Sequence, residues 1–462
     1  MYTCIHPPNS LPVLYQFAII RGRHYSIHKR HMTTYAVHLL RGIIMVIAGS
    51  IIVIGTIVLL ILKYDAKVVL LGAGFLMGII GGVPMDIFKA FEKGMTSAGL
   101  ITSICSCMGF ALVMKYTECD KHLVNLLASV IKNVPFFLIP GVVIATYFIN
   151  MALPSAAGTA AAAGAVFIPL MMSADIHPAM AAAALKAGTY GSMLNPGLAH
   201  NAFVAKLAHV TPMDVISFHY LANITSLVVA AIGLSIVAYV TKEYKGHPAP
   251  DLQTDFNFKI NFIYAIMPIV PIAILLLGAT GLIPSFKVSV PAAMLIGAFL
   301  AILVTRSNPR DIANNFFNGM GEGYAKIMSI IIACGVFVAG MDSMGLVKAF
   351  TQEMMQNPSI MKVAAAVGPF LLGLITGSGD AATMAFNEAI SSHAVDFGMT
   401  TVQMGSMATL GGTLGRTISP IAGATIIVAG IAGVNPIEVT KRNGIPIILA
   451  LAAGSLVLAL GY

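Results

Sequence analysis

Hydrophobic residues occur along this chain in long blocks separated by short polar segments. About 20 apolar residues suffice for a helix to cross a bilayer. Nine charge-free stretches are near or above that length, and they cover residues 42–62, 68–85, 94–114, 133–174, 215–241, 260–286, 288–305, 363–379 and 443–462. The pattern predicts an all-α polytopic membrane protein with about ten to twelve crossings. Because 133–174 is too long for one span, we expect a crossing followed by a segment that turns back.

The pattern also repeats. The element D-I-x-x-x-F-x-x-G-M begins at Asp86 and occurs again from Asp311. Further on, 191–196 matches 415–420 and 211–215 matches 435–439, at almost the same separation along the chain. Similar apolar segments arise by chance, but the preserved order and the near-constant offset favour a duplication.

The repeat divides the chain into six parts. They are a poorly ordered N-terminal extension (1–35), a first transmembrane helix (36–66), membrane repeat 1 (67–241), a polar connector (242–260), a second transmembrane helix (261–286) and membrane repeat 2 (287–462). An odd number of crossings per repeat would invert the second copy, which is typical of secondary transporters. The sequence leaves that parity open.

Gly- and Pro-interrupted segments occur at corresponding places in the two repeats. The first pair covers 154–159 and 376–380, and the second covers 191–196 and 415–420. Irregular backbone at membrane depth persists only when it is buried in protein or lines a wet cavity. We interpret these breaks as hairpin tips that aim helix N-termini at an anion. Packing kinks and ordinary Asn-Pro or Ser-Pro turns are the alternatives.

Composition excludes a water-soluble globule, because 58% of the 462 residues are hydrophobic, only 10% are charged and the mean hydropathy is +0.88. The partner of this surface is the lipid bilayer. The net charge of +8 is no sign of nucleic acid binding, since the cations fall between apolar runs. The five cysteines are scattered, which does not suggest a metal site or any cofactor. The motifs of nucleotide-driven pumps and hydrolases are missing.

Ionisable groups inside a membrane are costly and point to function. Asp380, Glu388 and Arg416 lie near the breaks of the second repeat. Arg416 is suited to fork onto a carboxylate, and Asp380 is suited to hold a coupling cation, although the two could also form a structural bridge. Lys186 and His200 flank a first-half break, but the aligned positions in the other half carry no charge, so both are weaker candidates.

The residues of the second half, 376–379, 415–420, 428–430, 435–439 and 441–442, resemble the DcuC/DcuD carriers, bacterial inner-membrane C4-dicarboxylate carriers associated with anaerobic growth. The similarity extends from about residue 43 to the end. The resemblance implies exchange, uptake or efflux of fumarate, malate, aspartate or succinate, with Na⁺ or H⁺ as a possible coupling ion. It further implies two inverted repeats with re-entrant hairpins and broken helices, a scaffold plus an elevator-like transport unit, and a homodimer.

Two sets of candidate residues follow from the breaks and the resemblance. The substrate set is Ser155, Gly158, Thr159, Ser192, Asn195, Gly377, Ser378, Gly379, Arg416, Thr417 and Ser419, and the cation-coupling set is Asp380, Asn195 and Asn387. This chain departs from the family pattern, because Asp380 stands where the family has asparagine. The added negative charge keeps two rivals open, a cation/proton antiporter and a carrier of another small organic anion. An intramembrane enzyme is a third, disfavoured class.

Overall fold

A computed structural model describes residues 40–62, 64–132, 137–247, 258–279, 288–356 and 358–461. Within these ranges the chain folds into helices, turns and loops without a β-strand. Eight helical segments are long and apolar enough to cross a membrane, and four further apolar helices are shorter. The architecture is therefore all-α and polytopic, as the sequence predicts. The N-terminal extension (1–35) lies outside the described residues, as does most of the polar connector.

The first half runs from α1 to α10. Its helices are α1 Leu40–Ile61, α2 Ala66–Gly81, α3 Pro84–Met95, α4 Ala98–Tyr116, α5 Cys119–Ile131, α6 Leu138–Ala152, α7 Ala156–Ser173, α8 Pro178–Ala187, α9 Ala199–Ala208 and α10 Pro212–Val240.

The second half runs from α11 to α21. Its helices are α11 Phe262–Ile266, α12 Val270–Ala279, α13 Val290–Thr305, α14 Pro309–Gly323, α15 Ser329–Ser343, α16 Leu346–Met355, α17 Pro358–Thr376, α18 Gly379–Ile390, α19 Thr401–Ile418, α20 Gly423–Ala432 and α21 Pro436–Leu460. A π-helical segment, Tyr324–Met328, joins α14 to α15.

Helix starts follow from local chemistry at the repeated motifs. Proline is the first residue of α3 and α14 and of α10 and α21, where its missing N–H costs nothing. Thr211 and Asp214 form a reciprocal capping box at α10. Asn435 caps α21 by accepting the N–H of Ile437 at 2.9 Å. The sequence motif that marks the repeat is thus a helix-initiation signal.

Helix boundaries repeat at the same offsets as the sequence. α3 begins at Pro84 and α14 at Pro309, and these prolines precede the two copies of the repeated element. α9 and α20 begin at equivalent positions after the second pair of breaks, at Ala199 and Gly423. Counted this way, α2 to α10 correspond to α13 to α21. The two halves share one order of helices and breaks.

Small residues let the two halves interlock. A Cβ on Gly340 of α15 would lie 2.6 Å from the carbonyl oxygen of Gly74 in α2. Likewise, a Cβ on Gly319 of α14 would lie 2.5 Å from the carbonyl oxygen of Met108 in α4. Such close backbone approach is the usual means by which membrane helices pack. It binds α2–α4 and α13–α15 into one helical group.

Candidate functional site: a cavity at four helix breaks

Each half contains a helical hairpin whose turn is the first interrupted segment. α6 and α7 pack against each other across residues 153–155, and α17 and α18 do so across 377–378. Serine hydroxyls begin the returning helices: Ser155 Oγ accepts the N–H of Gly158 at 3.1 Å and Ser378 Oγ accepts that of Ala381 at 3.2 Å. Gly377 has φ +73°, a left-handed conformation that favours glycine.

The second interrupted segments break two further helices. α8 ends at Ala187 and α9 begins at Ala199 after a 3₁₀ turn, while α19 ends at Ile418 and α20 begins at Gly423. The N-cap residues of α9 and α20 are Leu198 and Ala422, whose side chains make no capping hydrogen bond. The first N–H groups of these two helices are therefore left uncapped by side chains.

All four breaks contribute to one cavity of about 260 Å³. Its wall contains the N-terminal ends of α7 (Ser155, Ala156), α9 (Leu198, Ala199) and α20 (Gly423), and the first turn of α18 through Asp380. A helix N-terminus carries a partial positive charge and free N–H groups, so it attracts anions. Four such ends lie around this cavity, so the surrounding backbone alone makes it electropositive.

Arg416 supplies a full positive charge to this wall. Its Nη2 donates to the carbonyl oxygen of Thr189 at 3.1 Å, whereas its Nε is buried with no hydrogen-bond partner among the described residues. Lys186, fully buried in α8, donates through Nζ to the carbonyl oxygen of Arg416 at 3.3 Å. Arg416 and Lys186 thus each lie at the C-terminal end of a broken helix from the other half, where cations are favoured.

Asp380 is the acidic member of the wall. Its Oδ1 lies 3.0 Å from Nε2 of His200, which belongs to the first turn of α9 in the other half. The His200 side chain is completely buried, but the Asp380 side chain remains 39% exposed. The other cation in the wall, Lys326 of the π-helical segment, is exposed and pairs with Glu322 at 2.7 Å. No three His, Cys, Asp or Glu side chains among the described residues come together as a metal site.

A cavity that combines helix N-termini with an arginine lacking a partner for its Nε is typical of carboxylate binding. Comparison with known proteins agrees with this chemistry. The model of the family described as C4-dicarboxylate anaerobic carrier, DcuC, matches residues 96–462. The chain belongs to this DcuC family. It is a multi-pass protein of the bacterial inner membrane and a carrier, not an enzyme.

Curated relatives support the membership. A Haemophilus influenzae protein described as an uncharacterized transporter is 42% identical over 271 residues, 56% of this chain and 97% of the relative. The anaerobic C4-dicarboxylate transporter DcuC of Escherichia coli K12 is 27% identical over 381 residues, 78% of this chain and 80% of the relative. A probable DcuC transporter of Vibrio cholerae is 25% identical over 378 residues, 76% and 80% of the two chains.

Three of the predicted site residues of this DcuC-family chain line the cavity: Ser155, Asp380 and Arg416. Gly158 and Thr159 lie in the first turn of α7 instead of the turn itself. Both ends of the Asn195 amide make hydrogen bonds, because Oδ1 accepts the N–H of Gly197 at 2.7 Å and Nδ2 donates to Met151 O at 2.8 Å. The backbone N–H of Ser192 is held by Asn150 Oδ1 at 2.9 Å. Asn195 and Ser192 therefore brace the first-half break.

The second-half candidates are distributed differently from the prediction. Ser378 lines a separate, mostly apolar cavity of about 370 Å³ between α1, α2 and the second hairpin. Thr417 donates to Thr413 O at 2.9 Å, and the Oγ of Ser419 is buried without a partner among the described residues. Asn387 accepts the hydroxyl of Ser391 at 2.7 Å. Gly377 and Gly379 pack tightly on 421–422 and on Gly412.

Lys186 and His200 make contacts that the sequence does not predict. Both are weaker candidates by sequence, because the other half has no charge at the aligned positions. The structure explains the asymmetry, since Lys186 reaches Arg416 and His200 reaches Asp380 across the boundary between halves. The usable signal is the charge itself, because an ionisable group in an apolar helix is costly unless paired.

Proposed function

We propose that this protein carries a four-carbon dicarboxylate across the inner membrane by exchange, and that the substrate binds in the 260 Å³ cavity. The observation that carries the proposal is the meeting of the four helix N-termini and Arg416 in one wall. Drug-sized ligands occupy pockets of roughly 300–1,000 Å³, so this cavity suits a smaller solute.

A dicarboxylate has two anionic ends, and the cavity offers two equivalent receptors. The uncapped N-termini of α9 and α20 come from corresponding places in the two halves. Each can direct backbone N–H groups at one carboxylate, while Arg416 forks onto one of them. The Ser155 hydroxyl accepts from Gly158 and donates to no described residue, so its proton is free to bind a carboxylate. The remaining candidate residues of the substrate set lie in or next to the breaks and not in the cavity wall.

Coupling to Na⁺ or H⁺ is a second candidate for the mode of transport. One observation favours it: the partly exposed carboxylate of Asp380 in the cavity wall. Asn195 and Asn387, the other coupling candidates, are absent from that wall, so a coupling ion would bind at Asp380.

Proteoliposomes loaded with succinate test both modes. We expect them to take up labelled fumarate, succinate or aspartate in exchange, at a rate that saturates with substrate. An imposed Na⁺ or pH gradient should change the initial rate only if a cation is coupled. Vesicles without protein serve as the control. Cation flux without uptake of any of these anions would contradict the proposal and restore the antiporter.

The movement we propose is elevator-like, in two inverted repeats. Its support is the grouping of helices: α2–α4 pack with α13–α15, and the hairpins and broken helices that line the cavity pack with one another, while α15 and α4 contact the second group through α18 and α9. The first group would be the scaffold and the second the transport unit. The homodimer stays a prediction that light scattering on the solubilised carrier checks.

Spin labels on the two groups measure this movement. We expect the distance between a label on α14 and one on α7 to change when substrate is added, because α7 moves with the cavity. A pair within the scaffold, on α3 and α14, should keep its distance. Equal behaviour of the two pairs would rule out a moving transport unit.

A further inference from the structure

One acidic side chain stands in a cavity otherwise suited to anions. Asp380 shares the wall with Arg416 and with the N-terminal ends of α7, α9 and α20. A carboxylate there repels a second carboxylate brought by the substrate. A cationic group carried by the anion itself would offset this repulsion.

Within the described residues, one side of the Asp380 carboxylate has a partner. His200 Nε2 lies 3.0 Å from Oδ1, and no other described side chain makes a hydrogen bond or ion pair with the carboxylate. Because His200 is fully buried and Asp380 is 39% exposed, the histidine holds the carboxylate from behind and leaves it open to the cavity. His200 is a positioning residue in this arrangement.

The cavity thus presents a cationic group, an anionic group and several N–H ends in one small volume. Arg416 and Asp380 come from different helices, α19 and α18, and both face the same space. A molecule that complements all of these groups has two carboxylates and one ammonium. An unsubstituted dicarboxylate brings no cation to the exposed side of Asp380.

We propose that Asp380 binds the ammonium group of a 2-aminodicarboxylate, and that this carrier prefers such an acidic amino acid to an unsubstituted four-carbon dicarboxylate. Arg416 and the uncapped N-termini of α9 and α20 bind the two carboxylates. The inference rests on the proposed function, because it assigns a substrate class to the same cavity. It differs from cation coupling in that the positive charge at Asp380 travels as part of the substrate.

Two ligand pairs test the preference in the wild-type carrier. Exchange of labelled aspartate in proteoliposomes is inhibited by unlabelled L-aspartate, L-malate or succinate. L-malate has the same skeleton with a hydroxyl in place of the ammonium. We expect L-aspartate to compete at a concentration about tenfold or more below that of the other two, since a site built for a polar group rejects analogues that lack it. Equal competition by all three overturns the inference.

Asp380→Asn supplies the reciprocal test. We expect it to weaken competition by L-aspartate about tenfold or more and to strengthen competition by succinate, because the repulsion is removed. Asp396→Asn is the matched control, since Asp396 pairs with His393 outside the cavity wall. Equal weakening of both ligands would show a merely structural role and overturn the inference. Loss of Na⁺ or H⁺ dependence with an unchanged ligand ratio would also overturn it, in favour of coupling.

Failure of the proposed function would give a different result from failure of the inference alone. If the wild-type protein exchanges none of the three anions, both the carrier proposal and the inference fall. If it exchanges succinate in preference to aspartate, only the inference falls. The wild-type measurements decide between these results even if Asp380→Asn does not fold.

Discussion

Arg416→Lys lowers exchange of the dicarboxylate about tenfold or more while the carrier still folds. Lysine keeps the positive charge and can still reach a carbonyl such as Thr189 O, but it has no planar fork to grip a carboxylate. Losing one charge-assisted hydrogen bond of the fork costs about 1.5–3 kcal/mol, which is roughly 10-fold or more in affinity. Initial rates of labelled succinate exchange in proteoliposomes measure the effect.

The free energies of the interactions in the cavity explain why Arg416→Lys should lower transport strongly. A helix N-terminus contributes typically about 0.3–1 kcal/mol to a nearby anion. Even millimolar binding requires about 4 kcal/mol, which four helix ends reach only at the top of this range, so the arginine contributes much of the affinity. Arg310→Lys is the matched control, because Arg310 is exposed at the start of α14. Exchange near the wild-type rate in Arg416→Lys would remove Arg416 from the binding site.

Gly415→Ala and Gly191→Ala destabilise the carrier. A Cβ on Gly415 would overlap the carbonyl oxygen of Phe370, and one on Gly191 would overlap that of Tyr147. Both obstacles are backbone atoms of the hairpin helices α17 and α6, which cannot rotate away. Overpacking of this kind costs typically about 1–3 kcal/mol, occasionally more. Thermal unfolding and the monodisperse fraction of the solubilised protein report the loss.

Gly430→Ala is the matched control for these glycines. It also lies in a helix of the second repeat, α20, but a Cβ there meets nothing within 4 Å. Alanine is favoured over glycine in a helix by about 1 kcal/mol, so this variant should be as stable as the wild type or more so. If Gly415→Ala were as stable as Gly430→Ala, the tight approach between α17 and α19 would not limit the stability of the fold.

The interrupted segments show how much of the site could be predicted. Gly191 and Gly415 occupy matching positions in the two repeats, and the structure gives the physical reason, a backbone contact with the preceding hairpin in each half. Proline positions such as Pro84 and Pro309 predict helix starts because their effect is local. Ser155, Arg416 and Asp380 lie together in the cavity wall. Polar groups next to broken apolar helices avoid lipid by lining a wet cavity or by being buried in protein.

The sequence by itself determined the membrane class, the duplicated order of helices and the places where those helices break, because hydrophobic length, proline and glycine act over a few residues. Only the tertiary structure decided which polar groups share the cavity. It pairs His200 with Asp380 and Lys186 with Arg416, residues that lie in different halves of the chain, and it turns Ser378 towards a different cavity. Such pairings depend on how one half packs against the other, and no local period along the chain encodes that packing.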